Sequence, residues 1–105
     1  MELRQLQREM REWSERNFGE QPSYQPLLGV VEELGELAHA QLKEEQGIRT
    51  NENHIEDAQD AVGDLLIFLM NYCSSRGWDV QEILERTWDS VKQRDWKKNP
   101  ENGVS

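Results

Sequence analysis

Apolar residues recur along this 105-residue chain at steps of three and four, the period of amphipathic helices rather than of strands. Over residues 2–17, Leu3, Leu6, Met10 and Trp13 keep that spacing, with Arg, Glu and Gln between them. Gly19, Pro22 and Pro26 then break it, so 18–25 reads as a loop flanked by Phe18 and Tyr24. A second helix is expected over about 24–46, with Ser23 as N-cap and Pro26 in its first turn. Leu27, Val30, Val31, Leu34, Leu37, Ala38 and Gln41 line one of its faces, and Gly47 stops it. The third is expected over about 53–75, opened by Asn53 and Glu56 at the spacing of a capping box and ended by Gly77. Its second half, Leu65–Cys73, is apolar nearly all round and broken only by Asn71. That predicts burial on several sides, inside a bundle or against a second subunit. A fourth helix is expected over about 79–97, with Asp79 as N-cap, Glu82 three residues on and Trp78 stapling onto Ile83. Its stripe is Val80, Ile83, Leu84, Thr87, Trp88 and Val91. Trp13 and Trp88 lie on stripes and are expected in the core. Asn99-Pro100-Glu101-Asn102-Gly103 signals a tail. The pattern predicts an all-α fold: four helices, bundle-like, in a single domain over residues 1–105.

Composition adds a constraint to that picture. A short chain buries a limited core, and only 35% of this one is hydrophobic. A homo-oligomer, dimer or tetramer, is therefore expected to complete the bundle. With 21 acidic against 12 basic residues and a net charge of −9, a nucleic acid polymer is not an expected partner, since that needs a Lys/Arg footprint. Neither is a membrane: the longest unbroken apolar run, Leu65–Met70, falls far short of the ~20 residues a span requires. The single cysteine, Cys73, allows no intrachain disulfide and is expected to be a buried free thiol. With no apolar signal region at Met1–Gln5, a cytoplasmic setting follows.

Two acidic segments change the picture from fold to chemistry. At ~100° per residue, Glu32, Glu33 and Glu36 share an arc of about 100° on the second helix. Glu56, Asp57, Asp60 and Asp64 share a similar arc on the third. An acidic helical face is ordinarily a solvated one. Here the pattern is doubled on consecutive helices, with Lys43 the nearest cation on the second and none on 53–75. Like charges so placed repel. A hard divalent cation, Mg²⁺ with Mn²⁺ as an alternative, takes oxygen ligands of this kind. Gly35 sits inside the first cluster. Glycine in mid-helix costs ~1 kcal/mol against alanine, which predicts that something approaches the backbone there. Gly63 precedes Asp64 in the same way. His39 makes a Glu-x-x-His spacing with Glu36, but no second copy of it exists, so His39 reads as a surface residue or a neighbour of the site and not a ligand.

Glu32-Glu33-x-x-Glu36 followed by an acidic segment ending at Asp64 resembles the MazG-like branch of the all-α nucleoside triphosphate pyrophosphatases, whose pattern is E-E-x-x-E, a spacer, then E-x-x-D. The surrounding residues, Val31–Ala38 and Val62–Leu66, fit as well, and the layout is similar over roughly 1–97. One position departs: three residues before Asp64 the family carries Glu, and this chain has Ala61. Asp60 lies on the same helical side and Asp57 is the other candidate. The resemblance implies Mg²⁺-dependent hydrolysis of a nucleoside triphosphate to the monophosphate and pyrophosphate. By the same resemblance Glu33, Glu36 and Asp64 are metal ligands, with Asp60 a fourth. Glu32 orients or deprotonates water, or holds a further ion. Basic residues near the end of the fourth helix, Lys92 and Arg94, and Lys43 on the second are expected phosphate contacts, although basic residues at a helix end also suit the helix dipole. Trp96 is a candidate to stack on a base, and Asn17 and Phe18 to form a base pocket. Two other readings stand beside this one. They are a related ester hydrolase, such as a phosphoribosyl-ATP pyrophosphohydrolase, and a non-catalytic helical module that binds nucleotide or metal or only oligomerises.

Overall fold

In the computed structural model, which describes residues 1–105, the chain forms four α-helices and no strand: α1 (Leu3–Phe18), α2 (Tyr24–Gln46), α3 (His54–Ser75) and α4 (Val80–Val91). The all-α expectation holds. Two helix starts are fixed by side chains as expected. Asn53 Oδ1 accepts from the Glu56 N–H at 3.0 Å, and Asp79 Oδ1 accepts from the Glu82 N–H at 3.1 Å. Each bond satisfies a donor that a helix N-terminus leaves free. Gly47 ends α2 in the left-handed conformation. Ser23 makes no cap bond, because its backbone is already helical (φ −59°, ψ −27°) and a capping side chain needs the extended geometry.

α4 stops at Val91, short of the expected 97. Asp95 is the physical reason. Its Oδ1 accepts from the N–H groups of Lys97 and Lys98 at 3.1 and 3.0 Å, and its own N–H donates to Gly103 O at 2.7 Å. A local side-chain turn of this kind competes with helix. It folds the C-terminal residues back so that Gly103 packs on Arg94 and Trp96.

α2 and α3 form the principal packing unit. A Cβ on Gly29 would stand 2.5 Å from the Phe68 ring. Four residues on, Glu33 feels the charge of Asp64, four residues earlier on α3. Rising number therefore meets falling number, and the two helices run antiparallel across their short loop. Ala40, Ala61 and Met70 are buried. α1 packs on α3, and α4 packs on α1. The joint between these outer helices is polar. Buried Gln7 donates from Nε2 to Ser74 Oγ (3.0 Å) and to Trp78 O (2.9 Å), and its Oε1 accepts from the Val80 N–H (3.0 Å). One side chain thus ties α1 to the end of α3 and the start of α4. Beside it, Arg4 Nε donates to Asp79 Oδ2 at 2.6 Å. Trp78 packs edge-on against Tyr72, with the Arg76 guanidinium over its ring.

The single chain stays open. Nine of 105 residues are buried, and the radius of gyration is 17.5 Å, against ~13 Å for a compact domain of this length. Two core expectations fail as a result. Trp13 is 47% and Trp88 58% exposed, and no residue of α4 is buried. Periodicity reports which face is apolar, not whether the same chain supplies the cover.

Two measurements check this packing. Gly29→Ala drives a methyl into Phe68 and is expected to cost about 1–3 kcal/mol, the usual range for an overfilled contact. Gly35→Ala meets nothing within 4 Å and is expected to stabilise by ~1 kcal/mol; chemical denaturation of the metal-free protein reads both. The second measurement is a pH series. Hydrogen bonds from Arg4 and from the Glu82 N–H hold the Asp79 carboxyl below its ordinary value. Its stabilising effect is therefore full above the ordinary aspartate range and lost as pH falls through the lowered value. Melting temperatures followed down to pH 2 are expected to show that acid-side loss, and Asp79→Asn to flatten it.

Candidate functional site

The N-terminal half of α2 carries the cluster. Glu32, Glu33 and Glu36 each bring a carboxylate oxygen within 4.8 Å of the others. Their burial differs. Glu32 and Glu36 are exposed, whereas Glu33 is only 9% exposed and turns toward α3. Glu33 Oε2 lies fully buried with no hydrogen-bond partner. Burial pushes the Glu33 carboxyl above its ordinary value. Glu36 adds to this as a hydrogen-bond partner of the protonated form and as a charge, and the charges of Asp64 and Glu32 act in the same direction. An unpaired buried carboxylate is among the costlier groups a helix seam can hold. The donor set is oxygen only and crowded with like charge, so it has the chemistry that suits a hard divalent cation.

α3 contributes less than its sequence promised. Asp64 faces Glu33. Asp60 is exposed, one turn back on the same side as Asp64, and joins neither carboxylate cluster of the molecule. Ala61, at the position where the E-x-x-D pattern has Glu, is 3% exposed and packs in the α2–α3 seam. Asp57 gathers instead with Glu52 and His54 at the far end of the hairpin. There the His54 Nε2–H donates to Ile48 O at 2.9 Å and stitches the loop to α3. Gly35 and Gly63 have nothing within 4 Å. The expected close approach is found at Gly29, where Phe68 crosses α2.

Beside the carboxylates lies a cleft of about 630 Å³ between α1 and the α2–α3 hairpin. Met10, Trp13 and Phe18 line it from α1, and Asp64, Phe68 and Asn71 from α3. Asp64 thus lines the cleft while its charge bears on Glu33. Trp13 and Phe18 meet edge to face, ring centroids 5.6 Å apart, and leave a half-exposed aromatic wall. Asn71 Oδ1 is buried and unpartnered. Phe18 lines this cleft. Asn17 does not: its Nδ2 donates to Trp13 O at 2.8 Å and closes the last turn of α1. Trp13, taken for core, and Asn71 were missed as cleft residues. The one polar side chain in the run Leu65–Cys73 was the available signal for Asn71.

The basic candidates scatter. Lys43 lies two turns beyond Glu36 on the same side of α2 and donates to Gln46 Oε1 at 3.2 Å. Lys92 pairs with Asp89 at 3.0 Å. Arg94 and Trp96 are held under Gly103 in the C-terminal turn, which follows a helix that packs on α1. Within one chain, nothing seats Lys92, Arg94 or Trp96 on the carboxylates. His39 is exposed. Cys73 is a buried free thiol, and burial pushes it up.

Comparison with protein-family models, with curated proteins and with solved structures finds no match.

The burial of Glu33 has a measurable consequence. Glu33→Gln removes a buried charge from among three others and is expected to raise the melting temperature in EDTA by several degrees, since about 1 kcal/mol moves a chain of this size by ~4–8 °C. Glu32→Gln, at an exposed position, is expected to move it less.

Proposed function

We propose that this protein is a Mg²⁺-dependent nucleoside triphosphate pyrophosphohydrolase that clears common or modified nucleotides from the pool. One observation carries the reading: a buried, unpartnered carboxylate oxygen of Glu33 stands between Glu32 and Glu36 and within reach of the charge of Asp64, and Asp64 lines an aromatic cleft. The likeness of Glu32–Glu36 and Asp64 to the MazG-like pattern points the same way.

In this reading Glu33, Glu36 and Asp64 hold the divalent ion, Mg²⁺ or Mn²⁺, and Asp60 extends the acidic wall one turn away. The ion when bound neutralises phosphate oxygens and lowers the pKa of a water. Glu32, exposed at the edge of the cluster, accepts the proton of the attacking water. The water oxygen bonds to the α-phosphorus, the bond from that phosphorus to the bridging oxygen breaks, and pyrophosphate leaves with its electron pair. Trp13 and Phe18 stack on the base. Asn71 supplies a hydrogen bond to its edge once its amide turns into the filled cleft. Lys43 lies on the phosphate side of α2. Lys92, Arg94 and Trp96 reach a substrate only in an assembled form, and we take the working unit to be a homo-oligomer, dimer or tetramer. A reducing cytoplasm suits the unpaired Cys73. No helix is long and apolar enough to cross a membrane.

Ala61 favours a second reading. A position that carries a ligand in the E-x-x-D pattern is here a packed methyl group, which fits a module that binds nucleotide or metal without turning it over. A phosphoribosyl-ATP pyrophosphohydrolase would use the same carboxylates on a different substrate.

Incubation with a panel of nucleoside triphosphates, phosphoribosyl-ATP and Mg²⁺ separates these readings. Pyrophosphate release is expected from one or more nucleotides, falling at least 100-fold in Glu36→Gln. Trp13→Ala is expected to raise KM about tenfold or more at nearly constant kcat, the scale of a lost base–aromatic stack of ~1–3 kcal/mol. Orthophosphate release, or turnover of phosphoribosyl-ATP alone, would overturn the first reading. Metal-dependent nucleotide binding without turnover would establish the second.

A further inference from the structure

The turn end of the α2–α3 hairpin carries a group that the Glu33 cluster does not use. A ring nitrogen of His54 and one carboxylate oxygen each from Glu52 and Asp57 lie within 4.8 Å of one another. Local structure gathers them. His54 and Asp57 stand three apart on the first turn of α3 and share a face. The loop brings Glu52 back to that face. The Glu52 N–H donates to Arg49 O at 3.0 Å, and Arg49 bends the chain at φ 51°, in the left-handed region. Glu56, on the same turn of α3, is engaged elsewhere, accepting from Asn53 Nδ2 at 3.1 Å.

The imidazole separates this group from an ordinary acidic surface. The His54 side chain is only 10% exposed. Its Nε2 lies 2.9 Å from Ile48 O. A carbonyl oxygen only accepts, so Nε2 carries the proton, and in the neutral ring Nδ1 keeps a bare lone pair. Nδ1 faces Glu52 Oε2 at 4.0 Å, which is beyond hydrogen-bond reach, and a carboxylate oxygen is itself an acceptor. Three acceptors thus converge. A backbone carbonyl on the far ring nitrogen is also how metal-binding histidines are held in tautomer and orientation. We infer that Glu52, His54 and Asp57 form a second metal site, separate from the Glu33 cluster, which takes a borderline divalent ion of the Zn²⁺ class through His54 Nδ1 and the two carboxylates. Imidazole nitrogen beside carboxylate suits Zn²⁺ better than Mg²⁺, which favours oxygen alone. Ligands ~2.0–2.2 Å from a tetrahedral Zn²⁺ stand roughly 3.4 Å apart. The exposed Glu52 side chain is free to make the closing movement. Two carboxylates balance the charge of the ion and offset the positive end of the α3 dipole. The fourth position opens on a cavity of about 460 Å³ lined by Thr50 and Asn51, where water completes the set. Lys43 lines the same cavity but donates to Gln46 Oε1. Asp57 stands seven residues before Asp64, roughly 10 Å along the helix, whereas paired catalytic ions sit ~3.5–4 Å apart. The ion therefore fastens the loop to the first turn of α3 and takes no part in the chemistry at Glu33.

The test titrates the full chain with Zn²⁺ in excess Mg²⁺, which competes at oxygen-only sites, and follows heat and the nitrogen NMR signals of the two histidine rings. One Zn²⁺ is expected to bind per chain. The Nδ1 signal of His54 is expected to move while its Nε2–H persists and His39 stays where it was. Affinity is expected to fall at least tenfold in Asp57→Asn and in His54→Gln, since even a disturbed partner of a metal-binding histidine costs 10–100-fold, and to hold in Glu36→Gln. Asp57→Asn keeps the bond from His54 to Ile48, so it reads the site even if His54→Gln loosens the loop. Zn²⁺ is also expected to raise the melting temperature of the parent and not of Asp57→Asn. Absence of Zn²⁺ binding in excess Mg²⁺ would overturn the proposal. So would binding that survives both Asp57→Asn and His54→Gln, binding that Glu36→Gln abolishes, or a His54 ring that is protonated on both nitrogens and unmoved by Zn²⁺. No nucleotide enters these measurements, so their outcome is independent of the pyrophosphate assay.

Discussion

The seam between α2 and α3 is the constraint on which the rest of the molecule depends. Gly29 lets Phe68 cross α2 at contact distance, and that crossing sets the register that brings Glu33 opposite Asp64. A side chain at 29 would lift the helices apart one turn from Glu33. The same seam buries Glu33 on the line between a wet acidic face and a packed core. Burial is what distinguishes it from Glu32 and Glu36, one residue and three residues away on the same helix. Stability and chemistry pull against each other there. An uncompensated carboxylate weakens the seam, and a bound cation would turn the same cost into affinity.

The outer helices serve that seam unequally. α1 supplies an aromatic wall, Trp13 and Phe18, to the cleft beside Asp64. α4 supplies no buried residue to its own chain. Its stripe of Leu84, Trp88 and Val91 stands free, as does the apolar side of the hairpin. These two apolar faces are where the single chain leaves most of its large hydrophobic side chains in water.

Much of this was legible in residue order, because local chemistry decides it. Asn53 with Glu56 and Asp79 with Glu82 announced two helix starts that the structure realises bond for bond. The spacing of Glu32, Glu33 and Glu36 forces them onto one arc whatever the rest of the chain does. What failed depended on tertiary partners. The stripes holding Trp13 and Trp88 were real, but a period cannot say whether a face meets its own chain or another. Gly35 looked like the close approach because it sat among carboxylates, while the crossing lay at Gly29, and only the register of Phe68 reveals that. The end of α4 was misjudged because Asp95 reads as one more polar helical residue until its bond to Gly103 is seen. Ala61 marked a vacancy in the acidic pattern, yet its place deep in the seam needed the packing of both helices to appear.

Gln7 reaches partners 67, 71 and 73 residues away along the chain, whereas the α2–α3 hairpin closes through a loop of a few residues. Loop closure is costlier over the longer span, so the two units form on different schedules. The hairpin can assemble while the end of the chain is still emerging from its synthesis. The joint at Gln7 waits for Trp78 and Val80. Until then α1 rests on α3 alone, and the aromatic wall of the cleft beside Asp64 lacks that anchor. The acidic cluster is thus the early part of this molecule, and the pocket that would select what reaches it is the late part.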